Sequence, residues 1–224
     1  GGANARPFIT HHNALDMELY LRIAPELFLK RLIVGGLEKV FELGKNFRNE
    51  GISTKHNPEY TMVEVYQAYI DYEEMMSLTE ELISYVTQQV KGSNRFEFQG
   101  QVIDVTPPWP RLPMLEAIKQ YTGVDLSGDL TPEQIEEYRR TLKLDDTVRT
   151  KAQLINEAFD EYVEPHLTGP IFIVDYPVEI SPLAKRKASD PTLTDRFEPY
   201  IVGWEIANGF SELNDPFDQK QRFL

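Results

Sequence analysis

Glu64 and Tyr66 stand two residues apart in the run Thr61-Met62-Val63-Glu64-Val65-Tyr66. In a strand that spacing puts both side chains on one face, with Met62 beside them. A carboxylate next to a phenol, flanked by apolar side chains, suits a desolvated ammonium. The alternative is an exposed strand face that carries a glutamate by chance. The run from Trp204 to Glu212 offers a related set. Asn208, Phe210 and Glu212 share a face at spacing two, giving an amide, an apolar wall and a second carboxylate. Glu205 has the opposite parity, so reaching the same site would take a bulge or bend near 206–209, which Gly209 permits. Glu198 lies seven residues earlier. Two such carboxylates are the hard oxygen donors that Mg2+ takes beside triphosphate oxygens; on an acidic chain they are also an ordinary solvated surface.

Arg48 and Glu50 close another strand, just before a polar loop with His56 and Asn57. An arginine there can hold an α-phosphate bidentately, whereas a surface ion pair would contribute little. His11 and His12 point to opposite faces of a strand and have no third ligand at useful spacing, so a metal reading fails. Lys185-Arg186-Lys187 reads as a solvated basic loop, with a phosphate or nucleic-acid contact as the alternative.

The elements that must position these residues are readable from periodicity. Leu19 to Ile23 alternates like a strand. Pro25 is expected at a first helical position, Leu27, Phe28, Leu32 and Ile33 form an apolar stripe, and Gly35-Gly36 ends the helix. Lys39 to Arg48 and Tyr60 to Tyr69 read as two strands paired antiparallel through the polar loop. A helix is expected over about 73–90, then a hairpin around Gly100. Thr131-Pro132-Glu133-Gln134 is a capping-box signature, and 150–163 is a further helix, so residues 107–167 read as a small helical insertion. Ile171 to Asp175 and Tyr200 to Leu213 return to strand. Strands in adjacent antiparallel runs, without βαβ alternation, give an α+β fold: an antiparallel sheet flanked by helices.

Composition bounds the rest. The 224 residues are 41% hydrophobic, enough for one sizeable core. With 36 acidic against 23 basic residues the formal charge is −13, which disfavours non-specific nucleic-acid binding. Without cysteine there are no disulfides, thiolate metal sites or thiol nucleophiles. No apolar run approaches membrane-spanning length and no leader opens the chain, so a cytoplasmic location is expected. The start lacks Met and the end lacks a stop signal, so a segment of a longer protein is expected. No GxGxxG, P-loop, HExxH or GxSxG is present.

Taken together, Phe47-Arg48-Asn49-Glu50-Gly51 and His56-Asn57-Pro58-Glu59-Tyr60 resemble motif 2 of the class II aminoacyl-tRNA synthetases that handle Asp, Asn and Lys. Three other stretches resemble the lysyl-tRNA synthetases: Arg6 to Asp16 with Leu21 to Leu27, Pro177 to Lys185, and Asn208 to Pro216. The likeness covers nearly the whole chain. It implies that 1–224 is part of a class II catalytic domain. It implies that Gly2 and Glu26 hold the lysine α-amino group, and Arg48 and Asn208 its carboxylate. Glu64, Tyr66 and Glu212 would bind the ε-ammonium, with Phe210 lining the pocket. Arg48, Glu50, His56, Asn57, Tyr60 and Glu205 would bind ATP, Tyr60 stacking on adenine and Arg48 bridging to the α-phosphate. Glu198 and Glu205 would hold Mg2+. The implied reaction makes lysyl-adenylate from L-lysine and ATP, with Arg48 as the catalytic residue, then loads tRNA(Lys); the implied assembly is a homodimer.

The family's motif 1, motif 3 and anticodon-binding domain find no match in this sequence. Little lysine-dependent exchange is therefore expected of the 224 residues alone. Two rival expectations stand: a lysyl ligase paralogue that modifies an elongation factor, and a non-catalytic module binding lysine or ATP.

Overall fold

The computed structural model describes residues 5–53 and 56–223. They fall into two compact units, Gly1–Ile70 and Asp71–Leu224. Gly2, expected to hold an α-amino group, lies outside the described residues.

In the first unit, β1 (Ile9–His12) and β2 (Met17–Tyr20) form an antiparallel hairpin. Helix α1 (Glu26–Val34) begins one residue later than expected, because Pro25 is the cap residue itself. Proline's fixed φ suits either place. Gly35 closes the helix and Gly36, at φ +99°, turns the chain away. Strands β3 (Lys39–Phe47) and β4 (Glu59–Gln67) then pair antiparallel over their whole length, from Lys39 opposite Gln67 to Phe47 opposite Glu59. The faces of this ribbon are inverted relative to a usual half-buried sheet. Phe41 and Leu43 are exposed, while Asn46 is buried and Glu64 half-buried on the other face. Covering polar groups costs free energy, so a polar face that is kept covered is where a functional site is to be sought.

The second unit holds the main core. Helix α2 (Tyr72–Lys91) starts from an Asp71–Glu74 capping box and stops at Gly92 in the left-handed region. A hairpin of β5 (Arg95–Phe98) and β6 (Gln101–Asp104) follows. The central sheet runs β10-β9-β8-β7, with β11 also on β9: β7 (Arg111–Pro113), β8 (Ile171–Val174), β9 (Arg196–Ile201), β10 (Trp204–Glu205) and β11 (Gly209–Phe210). The fold is α+β as expected, with one departure: β7 and β8 are parallel, and every other pair is antiparallel. Residues 107–167 contain helices α3 (Met114–Thr122), α4 (Pro132–Thr141) and α5 (Lys151–Tyr162), the last two each opened by a threonine capping box. The same stretch also supplies β7 to the sheet. Helix α6 (Pro216–Phe223) ends the described chain.

Strand β8 explains the layering. Phe172 and Val174 pack with Tyr72, Met76, Ile103, Trp109 and Phe197 on one face. Ile173 packs with Ile118, Leu154, Ile155 and Phe159 on the other. A strand covered on both sides has no polar alternation, and each fully buried side chain contributes about 1.5–3 kcal/mol. The single strand expected over Tyr200–Leu213 is instead three short pieces: the end of β9, then β10 and β11. Val202 and Gly203, both at positive φ (53° and 66°), make the tight turn between the first two.

Candidate functional site

The first unit brings together the expected ammonium-binding pair. The Tyr66 hydroxyl donates to Glu64 Oε2 at 2.9 Å. Burial pushes the Glu64 carboxyl above its ordinary range; Tyr66, Arg48 and Lys30 pull it down, and Glu26 adds to the rise. Glu64 also faces Glu42 directly across the ribbon, an unfavourable pairing of like charges. Arg22 binds Glu42 through its guanidinium, which relieves it. Glu26 is buried at the start of α1 and forms an ion pair with Lys30 one turn on, at 2.5 Å.

Arg48 and Tyr60 also meet. The guanidinium lies over the Tyr60 ring, 5.4 Å from its centroid, and Arg48 Nε donates to the Ile23 carbonyl at 3.5 Å. The Tyr60 hydroxyl is buried without a hydrogen-bond partner, and burial raises its pKa. His56 Nδ1 lies 3.0 Å from Ser53 Oγ, and Asn57 Nδ2 donates to the Glu59 carbonyl at 2.8 Å. Both side chains are exposed on the loop, as is Glu50, whose backbone N–H donates to the Arg48 carbonyl at 2.9 Å.

In the second unit the centre is Glu198, only 6% exposed. Its Oε2 accepts from the Tyr176 hydroxyl at 2.7 Å and the Tyr200 hydroxyl at 2.9 Å. Its Oε1 accepts from Asn208 Nδ2 at 3.0 Å and from the Arg196 guanidinium. Arg196, Glu198 and Tyr200 alternate along one face of β9, so one local rule places all three. Glu205 lies directly opposite Tyr200, and cross-strand partners share a face. The parity problem is therefore solved by the Val202-Gly203 turn and not by the expected bulge at 206–209. Crowding by protein, the charge of Glu198 and further carboxylates push Glu205 up to about 7, although the residue remains reachable from solvent.

Gly209 serves another purpose: a side chain there would collide with the Phe197 ring. Phe210 pairs with Arg196 on β9. Glu212 lies beyond β11 in a bridge with Ala184, so Asn208, Phe210 and Glu212 are not three positions of one strand. The basic run at 185–187 is also not simply solvated. Arg186 forks onto Asp218, and Lys187 binds Asp175 and the Tyr72 hydroxyl. His11 pairs with Asp16 on the surface at 3.2 Å. Among the described residues no three His, Cys, Asp or Glu side chains cluster as a metal cage.

Sequence reasoning missed Glu42, Lys30, Tyr176, Arg196 and Tyr200. Period-two spacing along 196–200 could have found Arg196 and Tyr200 beside Glu198. Tyr176 is brought in from a distant stretch, and no local pattern signals it.

The family described as class II tRNA synthetases (D, K and N) matches residues 1–224. Curated relatives named lysine–tRNA ligase include one from Pelotomaculum thermopropionicum, 63% identical over the full chain. Others come from Thermosynechococcus vestitus, 58% identical over 99% of the chain, and Bacillus subtilis, 55% identical over all of it. The chain spans 45%, 44% and 45% of these three proteins respectively, about half of each.

Proposed function

The chain belongs to the class II tRNA synthetases of the D, K and N group, and on that premise we propose that the protein carrying it activates L-lysine with ATP and passes the lysyl group to tRNA. The names of its relatives favour lysine over aspartate and asparagine. The observation that carries this reading in the chain itself is the Glu64–Tyr66 pair. A partly desolvated carboxylate gains most from an ammonium. An aspartate side chain would be repelled there, and a neutral amide would leave the charge uncompensated, a costly outcome.

Each unit carries its own share of the proposed roles. In the first, Glu64 and Tyr66 take the ε-ammonium and Glu26, shared with Lys30, takes the α-ammonium. Arg48 holds the lysine carboxylate and the ATP α-phosphate. Glu50, His56, Asn57 and Tyr60 bind ATP. In the second, Asn208 binds the lysine carboxylate, and Phe210 and Glu212 keep the side-chain roles that the family likeness gives them. The carboxylate is already ionised at neutral pH, so no general base is needed. Its oxygen attacks the α-phosphorus and pyrophosphate leaves, with Arg48 placed to neutralise the developing charge.

Of the two carboxylates expected to hold Mg2+, Glu205 fits the ion: it is a hard oxygen donor, and a divalent cation would stabilise the charged form that burial and Glu198 disfavour. Each Glu198 oxygen already accepts two hydrogen bonds, so Glu198 would hold the ion only by exchanging one of those donors for it. When bound, the ion would offset triphosphate charge. No described helix is long and apolar enough to cross a membrane; a cytoplasmic location and a homodimer complete the proposal.

Calorimetric titration of the natural protein with L-lysine and with norleucine, which lacks only the ε-amino group, tests the reading. Lysine should bind and norleucine should not, and Glu64→Gln should weaken lysine by roughly two orders of magnitude. Equal binding of both amino acids, or an unaffected Glu64→Gln variant, would overturn it.

A further inference from the structure

We infer that Tyr176 and Tyr200 are positioning residues for the lysine carboxylate, acting through Glu198 on Asn208. The inference rests on the proposed role of Asn208.

An ionised carboxylate only accepts hydrogen bonds. Asn208 must therefore turn its Nδ2 toward Glu198, which fixes the direction of its remaining N–H and of its carbonyl. That orientation is only as firm as the Glu198 rotamer. Four donors hold it, two on each oxygen: Tyr176 and Tyr200 on Oε2, Asn208 and Arg196 on Oε1. Arg196 cannot swing away easily. It also donates to the Ile180 carbonyl at 2.7 Å and to Ser181 Oγ at 3.1 Å, and it stacks 4.5 Å from the Tyr176 ring centroid. Tyr176 and Tyr200 are themselves 2% and 3% exposed, so they act from the core on an asparagine at the surface. A buried network with every acceptor filled is rigid, and removing one donor loosens the rest.

The test is a double-mutant cycle on lysine affinity, read by calorimetry without turnover, in the natural protein that carries this chain. Tyr176→Phe and Tyr200→Phe keep the rings and lose only the hydroxyls. Each should weaken lysine about tenfold, the worth of a hydrogen bond to a charged group. Combined with Asn208→Ala, each should add nothing further, because the group they position is gone. A merely structural role predicts losses that add in the double variants, and additivity would overturn the inference. So would unchanged lysine affinity in both Phe variants while Asn208→Ala binds poorly. If Asn208→Ala itself binds lysine normally, the proposed role of Asn208 fails and the inference falls with it. Should Tyr176→Phe not fold, Tyr200→Phe runs the same cycle.

Discussion

Glu64 is a carboxylate that burial discourages from ionising and that a phenol, Arg48 and Lys30 help to keep ionised. The balance lies on the side of a raised pKa, which gives a pH signature. In the proposed site, ionised Glu64 would attract the substrate ammonium and protonated Glu64 would not. Lysine affinity should be full above the Glu64 pKa and fall as pH drops through it, beginning above the ordinary glutamate range around pH 4. Calorimetric titration with lysine across pH 5 to 8 should show this slope in the parent protein and a flatter line in Glu64→Gln. Identical slopes would remove Glu64 from the ammonium site. The pairing of Glu64 with Tyr66 was legible in the sequence because strand geometry alone aligns residues two apart. The Glu26–Lys30 pair has the i,i+4 spacing of one helix face, whereas Arg22 reaches Glu42 from twenty residues away and Tyr176 reaches Glu198 only through tertiary packing.

At the scale of elements, the long strands and helices were readable because their periods repeat over many residues. The stretch from 200 to 213 was not. It breaks where Val202 and Gly203 both take positive φ, a conformation that favours glycine but is rare for a β-branched residue. From the sequence, Gly209 would permit a bulge or bend near 206–209 should Glu205 reach the same site; in the fold its missing side chain lets the Phe197 ring lie against the backbone of β11. Gly209→Ala should therefore overpack this contact and cost about 1–3 kcal/mol. Thermal unfolding should register that as a midpoint roughly 2–12 °C lower for a chain of this size. Gly169→Ala is the control, since an added methyl there meets nothing and the backbone is not left-handed. Equal shifts at the two positions would mean that the Phe197 contact is not what requires glycine.

For the whole molecule, the buried apolar clusters lie in the second unit, around β8 and β9. The first unit contributes a long polar-faced ribbon. Strong net acidity argues against indiscriminate nucleic-acid binding, so any tRNA contact must be local. The D, K and N family shares one scaffold for three amino acids, and the account stands on which of them this protein selects. The measurement that decides it is amino-acid-dependent exchange of pyrophosphate into ATP by the natural protein, run separately with lysine, aspartate and asparagine. Exchange driven by lysine, with aspartate and asparagine near background, is the predicted result. Exchange driven by aspartate or asparagine, or none with lysine, would contradict the account.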